Sequence, residues 1–114
     1  MLMDAFEISQ LIVEQQMGQA YLEFLRVPAL SLGLYALPAG GVDPQKPHTE
    51  DEVYYVVEGR GFIHVGEEDR PVEPGTMVLV AANVEHRFQT ISEDMKILVF
   101  FAPAEYSNRS TTAE

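Results

Sequence analysis

The chain has 114 residues, no cysteine, and 18 acidic against seven basic residues, which gives a net charge of −11. This length predicts one domain with a single core, and the hydrophobic content of 46% argues against a disordered chain. The strong negative charge disfavours nucleic acid and anionic membranes as partners, and the lack of cysteine excludes disulfides, thiolate metal sites and a cysteine nucleophile. The sequence has no signal-peptide pattern and no run of about 18 apolar residues, so we expect a soluble, cytoplasmic protein.

Residues 1–18 are predicted to form an N-terminal segment with one short helix. Apolar residues recur at helical spacing over residues 8–12, with Ser9 or Asp4 available as the N-cap and Gly18 as the stop. We expect this helix to pack on the outside of the domain that follows.

Residues 19–104 are predicted to form a barrel of short strands. Strand patterns occupy residues 20–27, 30–37, 53–57, 60–65, 71–73, 76–80, 86–91 and 95–101, with turns rich in glycine and proline between them. The acidic cluster 66–69 predicts a solvated hairpin turn because it lacks the spacing of a calcium loop. Residues 95–101 are apolar on both faces, which favours a buried strand or one covered by a partner subunit. This pattern indicates an all-β barrel or jelly roll, followed by a frayed, flexible tail at 105–114.

Two histidines and one carboxylate are spaced in a way that indicates a metal site. In a regular strand the Cα atoms of His48 and Glu52 would lie about 13 Å apart, too far to share an ion about 2.1 Å from each ligand atom. Residues 49–51 are polar and turn-prone, so a bend there would bring the two side chains together. The apolar run 53–57 then ends at Gly59, as a buried strand should. A carboxylate at the start of such a strand is costly to bury without a cation, and a metal ion would account for it.

The same residues resemble the two motifs of the cupin family. His48, Glu52 and Gly59 are similar to the first motif, which usually has two histidines one residue apart, then a glutamate and a glycine. The second motif matches at Gly75 and His86. It departs at three positions, Ala81, Asn83 and Thr90. The 15 residues 60–74 between the motifs give the short spacing of compact bacterial cupins. The resemblance implies a double-stranded β-helix, which the short helix predicted at the N-terminus would precede.

Lys46 stands where the family usually has its first metal-binding histidine, and a protonated amine is not a ligand. The resemblance therefore implies three ligands, His48, Glu52 and His86, for one divalent metal ion. Two histidines and one carboxylate with open positions are associated with non-haem iron. Manganese, zinc and nickel are further candidates.

Strand parity and sequence proximity place further side chains near this site. Five residues are candidates for the cavity wall: Gln45, Lys46, Tyr54, Val56 and Phe88. A tyrosine on a strand more often packs in the core, and a lysine on a loop is more often solvated. Gln45 or Glu50 could supply a missing oxygen ligand, although water is the better candidate. His64 shares the strand parity of Phe62 and is interpreted as a hydrogen-bonded interior residue rather than a ligand.

Three functions are compatible with such a barrel. The first is a mononuclear metalloenzyme that acts on a small organic substrate as a dioxygenase, isomerase or lyase, with the ion binding substrate and O2 or polarising a carbonyl. Residues 48–53 also resemble the matching part of acireductone dioxygenases, a family that keeps the fourth ligand. The second is a binding module that holds a metal or small ligand without turnover, and the third is a barrel that has lost its metal site.

Two solution properties are also expected. The resemblance to compact cupins and the apolar residues 95–101 predict a homodimer. Because neutral imidazole is the ligand form, we expect the metal to be lost as the pH falls through the histidine range.

Overall fold

The fold is described by a computed structural model that covers residues 3–15 and 19–108. Within these ranges the chain forms one helix and eight strands: α1 (Ile8–Gln15), β1 (Tyr21–Val27), β2 (Leu30–Leu37), β3 (Asp51–Glu58), β4 (Gly61–Val65), β5 (Glu68–Val72), β6 (Met77–Val80), β7 (His86–Gln89) and β8 (Met95–Ala102). The helix is too short and too polar to cross a membrane, and the ranges described contain no other candidate.

The strands pair into two antiparallel sheets. The larger has the order β1-β2-β8-β3-β6 and the smaller the order β5-β4-β7. Successive side chains of a strand point to opposite faces, so β3 and β8 each send every second residue into the interior. Their buried members include Tyr54, Val56, Ile97 and Val99. The predicted double-stranded β-helix with one short N-terminal helix is confirmed.

Strand β8 is the middle strand of the larger sheet. It pairs with β2 along one edge and with β3 along the other, so both of its edges are hydrogen-bonded. Its second face, which carries Leu98 and Phe100, is half-buried. The expectation of a buried strand at 95–101 is therefore confirmed, whereas cover by a partner subunit remains a prediction.

Strand β4 faces the interior with the parity opposite to the one expected. Ile63 is buried, whereas Phe62 is 40% exposed and His64 bonds through Nδ1 to Asp69 Oδ1 at 2.7 Å on the outer face. Gly61 sets this parity, because a Cβ there would meet the backbone of the loop before β8 at 3.2 Å. The predicted interior placement of His64 is thus wrong, although His64 is hydrogen-bonded as expected.

The acidic turn after β4 is shorter than predicted, since β5 begins at Glu68.

Helix α1 packs against β2, where the side-chain amide of Gln15 donates to the carbonyl of Leu34 at 2.6 Å. The helix begins one residue before Ser9, and the carbonyl of residue 7 accepts its first hydrogen bonds. Neither Ser9 nor Asp4 is therefore its N-cap. The predicted stop, Gly18, lies outside the described residues.

Residues 105–108 form a turn that packs on the barrel, which differs from the frayed tail expected from residue 105 onward. Glu105 is 8% exposed. The backbone N–H groups of Tyr106 and Asn108 donate to the Glu50 carboxylate at 2.8 and 2.9 Å. Composition alone does not reveal this anchor, because its acceptor lies more than 50 residues away in the sequence. Residues 109–114 lie outside the described residues.

Candidate metal centre

The three predicted ligands converge at one end of the barrel. His48 lies on the loop before β3, Glu52 on β3 and His86 at the start of β7. Residues 49–50 form a bend, as predicted, and the N–H of Asn83 holds the loop by donating to the carbonyl of His48 at 2.7 Å. Asn83, one of the departures from the second motif, has a φ of 67°, which asparagine tolerates better than most residues. One donor atom from each of the three side chains lies within 4.8 Å of the other two.

One carboxylate oxygen of Glu52 contacts both imidazoles. Glu52 Oε1 lies 2.9 Å from Nε2 of His86 and 3.4 Å from Nδ1 of His48. Two ligand atoms at neighbouring positions around one ion, each about 2.1 Å from it, are about 3.0 to 3.4 Å apart. The side chains of Glu52 and His86 are 1% and 0% exposed and that of His48 is 15% exposed, so solvent reaches the cluster from the His48 side.

The donor atoms of this cluster lack aligned hydrogen bonds. Across residues 3–15 and 19–108, neither carboxylate oxygen of Glu52 nor Nδ1 of His48 has a hydrogen-bond partner of acceptable geometry. Burying a carboxylate in this way is costly unless a cation compensates it. A divalent ion would satisfy all three atoms together, and a set of imidazoles with a carboxylate suits first-row metals. The residues present therefore fit a metal ion.

His86 is held in the form that a metal ligand needs. Its Nδ1 lies 3.0 Å from the carbonyl oxygen of Val84. A carbonyl can only accept, so Nδ1 carries a proton in this hydrogen bond and the neutral ring has its lone pair on Nε2, which faces Glu52. A hydrogen bond of this kind from the second ring nitrogen fixes the orientation of metal-binding imidazoles.

Glu105, which was not identified from the sequence, plays the corresponding part for His48. Its Oε2 lies 3.2 Å from Nε2 of His48, while the other ring nitrogen faces Glu52. A carboxylate on the far nitrogen orients a metal-binding imidazole and increases its basicity. The local sequence gives no signal for this role, because Glu105 reaches the site only through the packing of turn 105–108.

These carboxylates shift the protonation of the metal-free cluster. Burial alone would lower the pKa of His48, but Glu105 and Glu52 raise it to about 9. Burial would also lower the pKa of His86, but the neighbouring Glu52 carboxylate and the hydrogen bond to the Val84 carbonyl raise it instead. The pKa of Glu52 is lowered by the two histidines in spite of burial, which would raise it. An incoming ion must therefore displace protons from the cluster.

Glu50, one of the two residues considered as an extra oxygen ligand, is committed to the C-terminal turn. Its carboxylate accepts hydrogen bonds from the Thr49 hydroxyl and from the backbone of Tyr106 and Asn108. Burial alone would raise the pKa of Glu50, but these hydrogen bonds lower it. Glu50 therefore anchors the turn that carries Glu105.

A cavity of about 420 Å³ opens beside His48, between β1, β2, β8 and turn 105–108. This volume lies in the range of small-molecule sites. Phe101 forms part of its apolar wall, with its ring centre 4.8 Å from that of His48. Arg26 also lines the cavity. Its guanidinium pairs with Glu23 Oε1 at 2.9 Å and donates to the carbonyl oxygen of Glu105 at 2.7 Å.

One of the five candidate wall residues lines the cavity, and the others take the alternative positions in the core or in solvent. Of the five residues expected there, Gln45 lines the cavity and Lys46 is exposed on the loop before His48. The other three belong to the buried core: Tyr54, Val56 and Phe88. These three side chains point into the barrel, as strand parity predicted. The barrel interior around them is filled by other side chains. The open space lies instead at the end of the barrel near β1.

Tyr21 lines the cavity. Its ring lies on Gly33, where a Cβ would come within 2.1 Å of ring and hydroxyl atoms, so β2 needs glycine at this position. The Tyr21 hydroxyl is buried and has no hydrogen-bond partner among the residues that the structure describes. Burial, together with the charges of Glu105 and Glu23, raises the pKa of Tyr21 well above its usual value. Tyr21 therefore stays a neutral O–H donor at neutral pH.

Comparisons with known proteins agree with this architecture. Acireductone dioxygenase 1 of Coprinopsis cinerea is 30% identical over 89 residues, which cover 72% of this chain and 49% of that enzyme. The chain thus spans about half the length of that dioxygenase. A solved structure from Thermus thermophilus matches with a TM-score of 0.74 at 27% identity, covering 90% of this chain and 99% of the other.

Two further matches show the family. An uncharacterized protein of Streptomyces coelicolor is 51% identical over 104 residues, which cover 90% of this chain and 99% of that protein. Residues 33–101, more than half of the chain, match the cupin domain and contain both motifs. The chain therefore belongs to the cupin family, as its two motifs indicated.

Proposed function

We propose that this cupin is a mononuclear metalloenzyme that acts on a small organic substrate, with one divalent first-row metal ion held by His48, Glu52 and His86. The observation that carries the proposal is the buried Glu52 carboxylate, which lies between two imidazole nitrogens and lacks an aligned hydrogen bond among the described residues. A buried carboxylate is costly without a cation beside it. Protonated histidine meets this need in the metal-free protein, as the raised pKa of His48 indicates. A bound metal ion would meet it once the histidines are deprotonated.

A dioxygenase-type reaction has the most support among the reactions that this site could host. Two histidines and one carboxylate leave coordination positions open, as in non-haem iron(II) oxygenases. Acireductone dioxygenases from Arabidopsis thaliana and Coprinopsis cinerea are among the similar proteins. A bound iron or manganese ion would supply Lewis acidity and the capacity to activate O2. Since the similarity covers about half of those enzymes, we propose the type of reaction and not their substrate.

The chain's own side chains would bind and orient the substrate beside His48. The neutral Tyr21 hydroxyl is available to donate a hydrogen bond to a substrate oxygen, because it has no partner in the described part of the chain. Phe101 offers an apolar surface, and the guanidinium of Arg26, paired with Glu23, lines the same cavity. This combination favours a small substrate with an oxygen acceptor at one end and an apolar part at the other.

Oxygen uptake by the reconstituted protein tests the proposal. The wild type, loaded anaerobically with iron(II) or manganese(II), is mixed with a panel of small acids and enols in an oxygen-electrode cell. We expect substrate-dependent O2 consumption that is lost in His86→Ala and kept in His64→Ala, a control histidine that bonds to Asp69 on the outer face. Metal binding without O2 uptake across the panel would contradict the dioxygenase assignment and indicate a binding module or a non-redox enzyme. Equal activity in the wild type and His86→Ala would contradict the site.

A further inference from the structure

We infer that Gln45 supplies a fourth protein ligand to the metal centre through its side-chain amide oxygen. The inference rests on the metal site proposed above. Lys46, at the position of the family's first histidine, is exposed and leaves the ligand set one member short. The neighbouring Gln45 is half-buried and lines the cavity beside His48.

Asp43 determines which end of the Gln45 amide faces the metal centre. Nε2 of Gln45 donates to Oδ2 of Asp43 at 2.7 Å. A carboxylate can only accept, so the amide nitrogen must face Asp43 and the amide oxygen must point the other way. Asp43 is 6% exposed and is itself held by the Tyr35 hydroxyl at 2.6 Å and by the N–H of Phe88 at 2.8 Å. Buried hydrogen bonds therefore fix the orientation of Gln45.

The oxygen end of Gln45 lies at a distance that suits a shared ion. Gln45 Oε1 is 3.4 Å from Nε2 of His86, the same separation as between Glu52 Oε1 and Nδ1 of His48. It also accepts a hydrogen bond from the Tyr54 hydroxyl at 2.9 Å, which leaves its second lone pair available.

The Gln45 oxygen faces the ring nitrogen through which His86 would bind an ion. Nε2 of His86 lies 3.4 Å from Gln45 Oε1 and 2.9 Å from Glu52 Oε1. An ion held between His86 and Glu52 would therefore lie within reach of the Gln45 oxygen.

Gln45 could also serve only to connect Asp43 and Tyr54 through its hydrogen bonds. A measurement that reports directly on the metal's ligands separates the two roles. The full chain is titrated with Mn2+, which accepts carbonyl oxygens well, and with Co2+, whose visible absorption reports on its ligands. Five proteins are compared: the wild type, Gln45→Leu, Gln45→Asn, Gln89→Leu and His86→Ala. Gln89 is a matched control, because its amide donates to Asp69 at 2.9 Å, away from the metal centre.

We expect Gln45→Leu to weaken Mn2+ and Co2+ binding by about tenfold to a hundredfold. At saturating Co2+, the position and intensity of its visible bands should also change, because a protein ligand has been lost. Gln89→Leu should match the wild type in both measurements. Gln45→Asn, which keeps the amide but shortens the side chain by one methylene, should behave as Gln45→Leu does. It provides the test if the leucine variant fails to fold.

Three outcomes would overturn the inference. If Gln45→Leu binds both ions with wild-type affinity and shows wild-type Co2+ bands, the amide oxygen does not bind the ion. Loss of binding in His86→Ala would in that case still support the proposed function. Weaker binding with unchanged Co2+ bands at saturation would show that Gln45 acts only through Asp43 and Tyr54. Failure of the wild type to bind either ion better than His86→Ala would overturn the proposed function as well.

Discussion

Metal affinity should rise steeply with pH because His48 is protonated in the metal-free protein. Glu105 and Glu52 raise the pKa of His48 to about 9, so Nδ1 must lose a proton before it can bind an ion. Between pH 6.5 and 8.5 a single group with this pKa changes the apparent affinity about 80-fold, whereas a histidine with its ordinary pKa would change it only about twofold. His86, whose pKa is also raised, steepens the dependence further.

The assay is a competition titration with a chromophoric chelator at pH 6.5, 7.5 and 8.5, corrected for the chelator's own protonation. Adding Mn2+ to the protein in weak buffer with a pH indicator measures independently how many protons each bound ion displaces. Glu105→Gln removes one of the two carboxylates beside His48, so it should flatten the pH dependence. A change of twofold or less in the wild type would refute the reasoning about His48.

Between pH 6.5 and 8.5 the raised histidine pKa makes the stability of the metal-free protein fall as the pH rises, opposite to the trend of metal affinity. A raised pKa of His48 stabilises the fold fully below the unfolded value of 6.5, and this contribution is lost as the pH rises through about 9. The lowered pKa of Glu52 stabilises the fold above the ordinary value of 4.5, and this contribution is lost as the pH falls through its folded value. Melting temperatures with and without the metal should therefore diverge as the pH rises from 6.5 to 8.5.

Three further results are expected. Above the His48 pKa of about 9, where few protons compete with the ion, Glu105→Gln should weaken metal binding about tenfold, because the ring loses the charged acceptor that orients it and increases its basicity. Equal weakening in Glu23→Gln, a carboxylate in the same cavity, would contradict that role. Gly59→Ala should destabilise the fold by about 1–3 kcal/mol in urea unfolding, because φ is +90° and a Cβ would meet backbone atoms at 2.3 Å. Gly40→Ala, with a φ of +73° and no atom within 4 Å of the added Cβ, should cost less, and equal costs would refute the steric argument. Sedimentation equilibrium at micromolar concentration should give twice the mass of one chain if the predicted homodimer forms, and a monomer would refute it.

The fold could be predicted because its signals are local. Apolar runs bounded by glycine and proline mark most strands, and residues such as Gly59 and Gly75 have positive φ at the turns where the sequence placed them. The grouping of His48, Glu52 and His86 could also be predicted, because the polar residues 49–51 imply the bend and the motif spacing implies the third ligand.

The parts that could not be predicted depend on contacts between distant segments. Glu105 reaches His48 only because turn 105–108 is anchored on Glu50, and the polar composition of this turn suggests a free tail. Asp43 fixes Gln45 through partners on other strands, and no local pattern marks it. Strand parity correctly predicted that Val56 points into the barrel. Parity does not show whether the interior around such a side chain is packed or forms a cavity.

The central claim is that a metal ion occupies the space between two histidines and a glutamate. Elemental analysis of the purified and reconstituted wild type, beside Glu52→Ala and His86→Ala, tests it most directly. We predict close to one divalent ion per chain in the wild type and loss of that ion in both variants, with folding of each variant checked by circular dichroism. A wild type that takes up no metal after reconstitution, or folded variants that retain it, would contradict the claim.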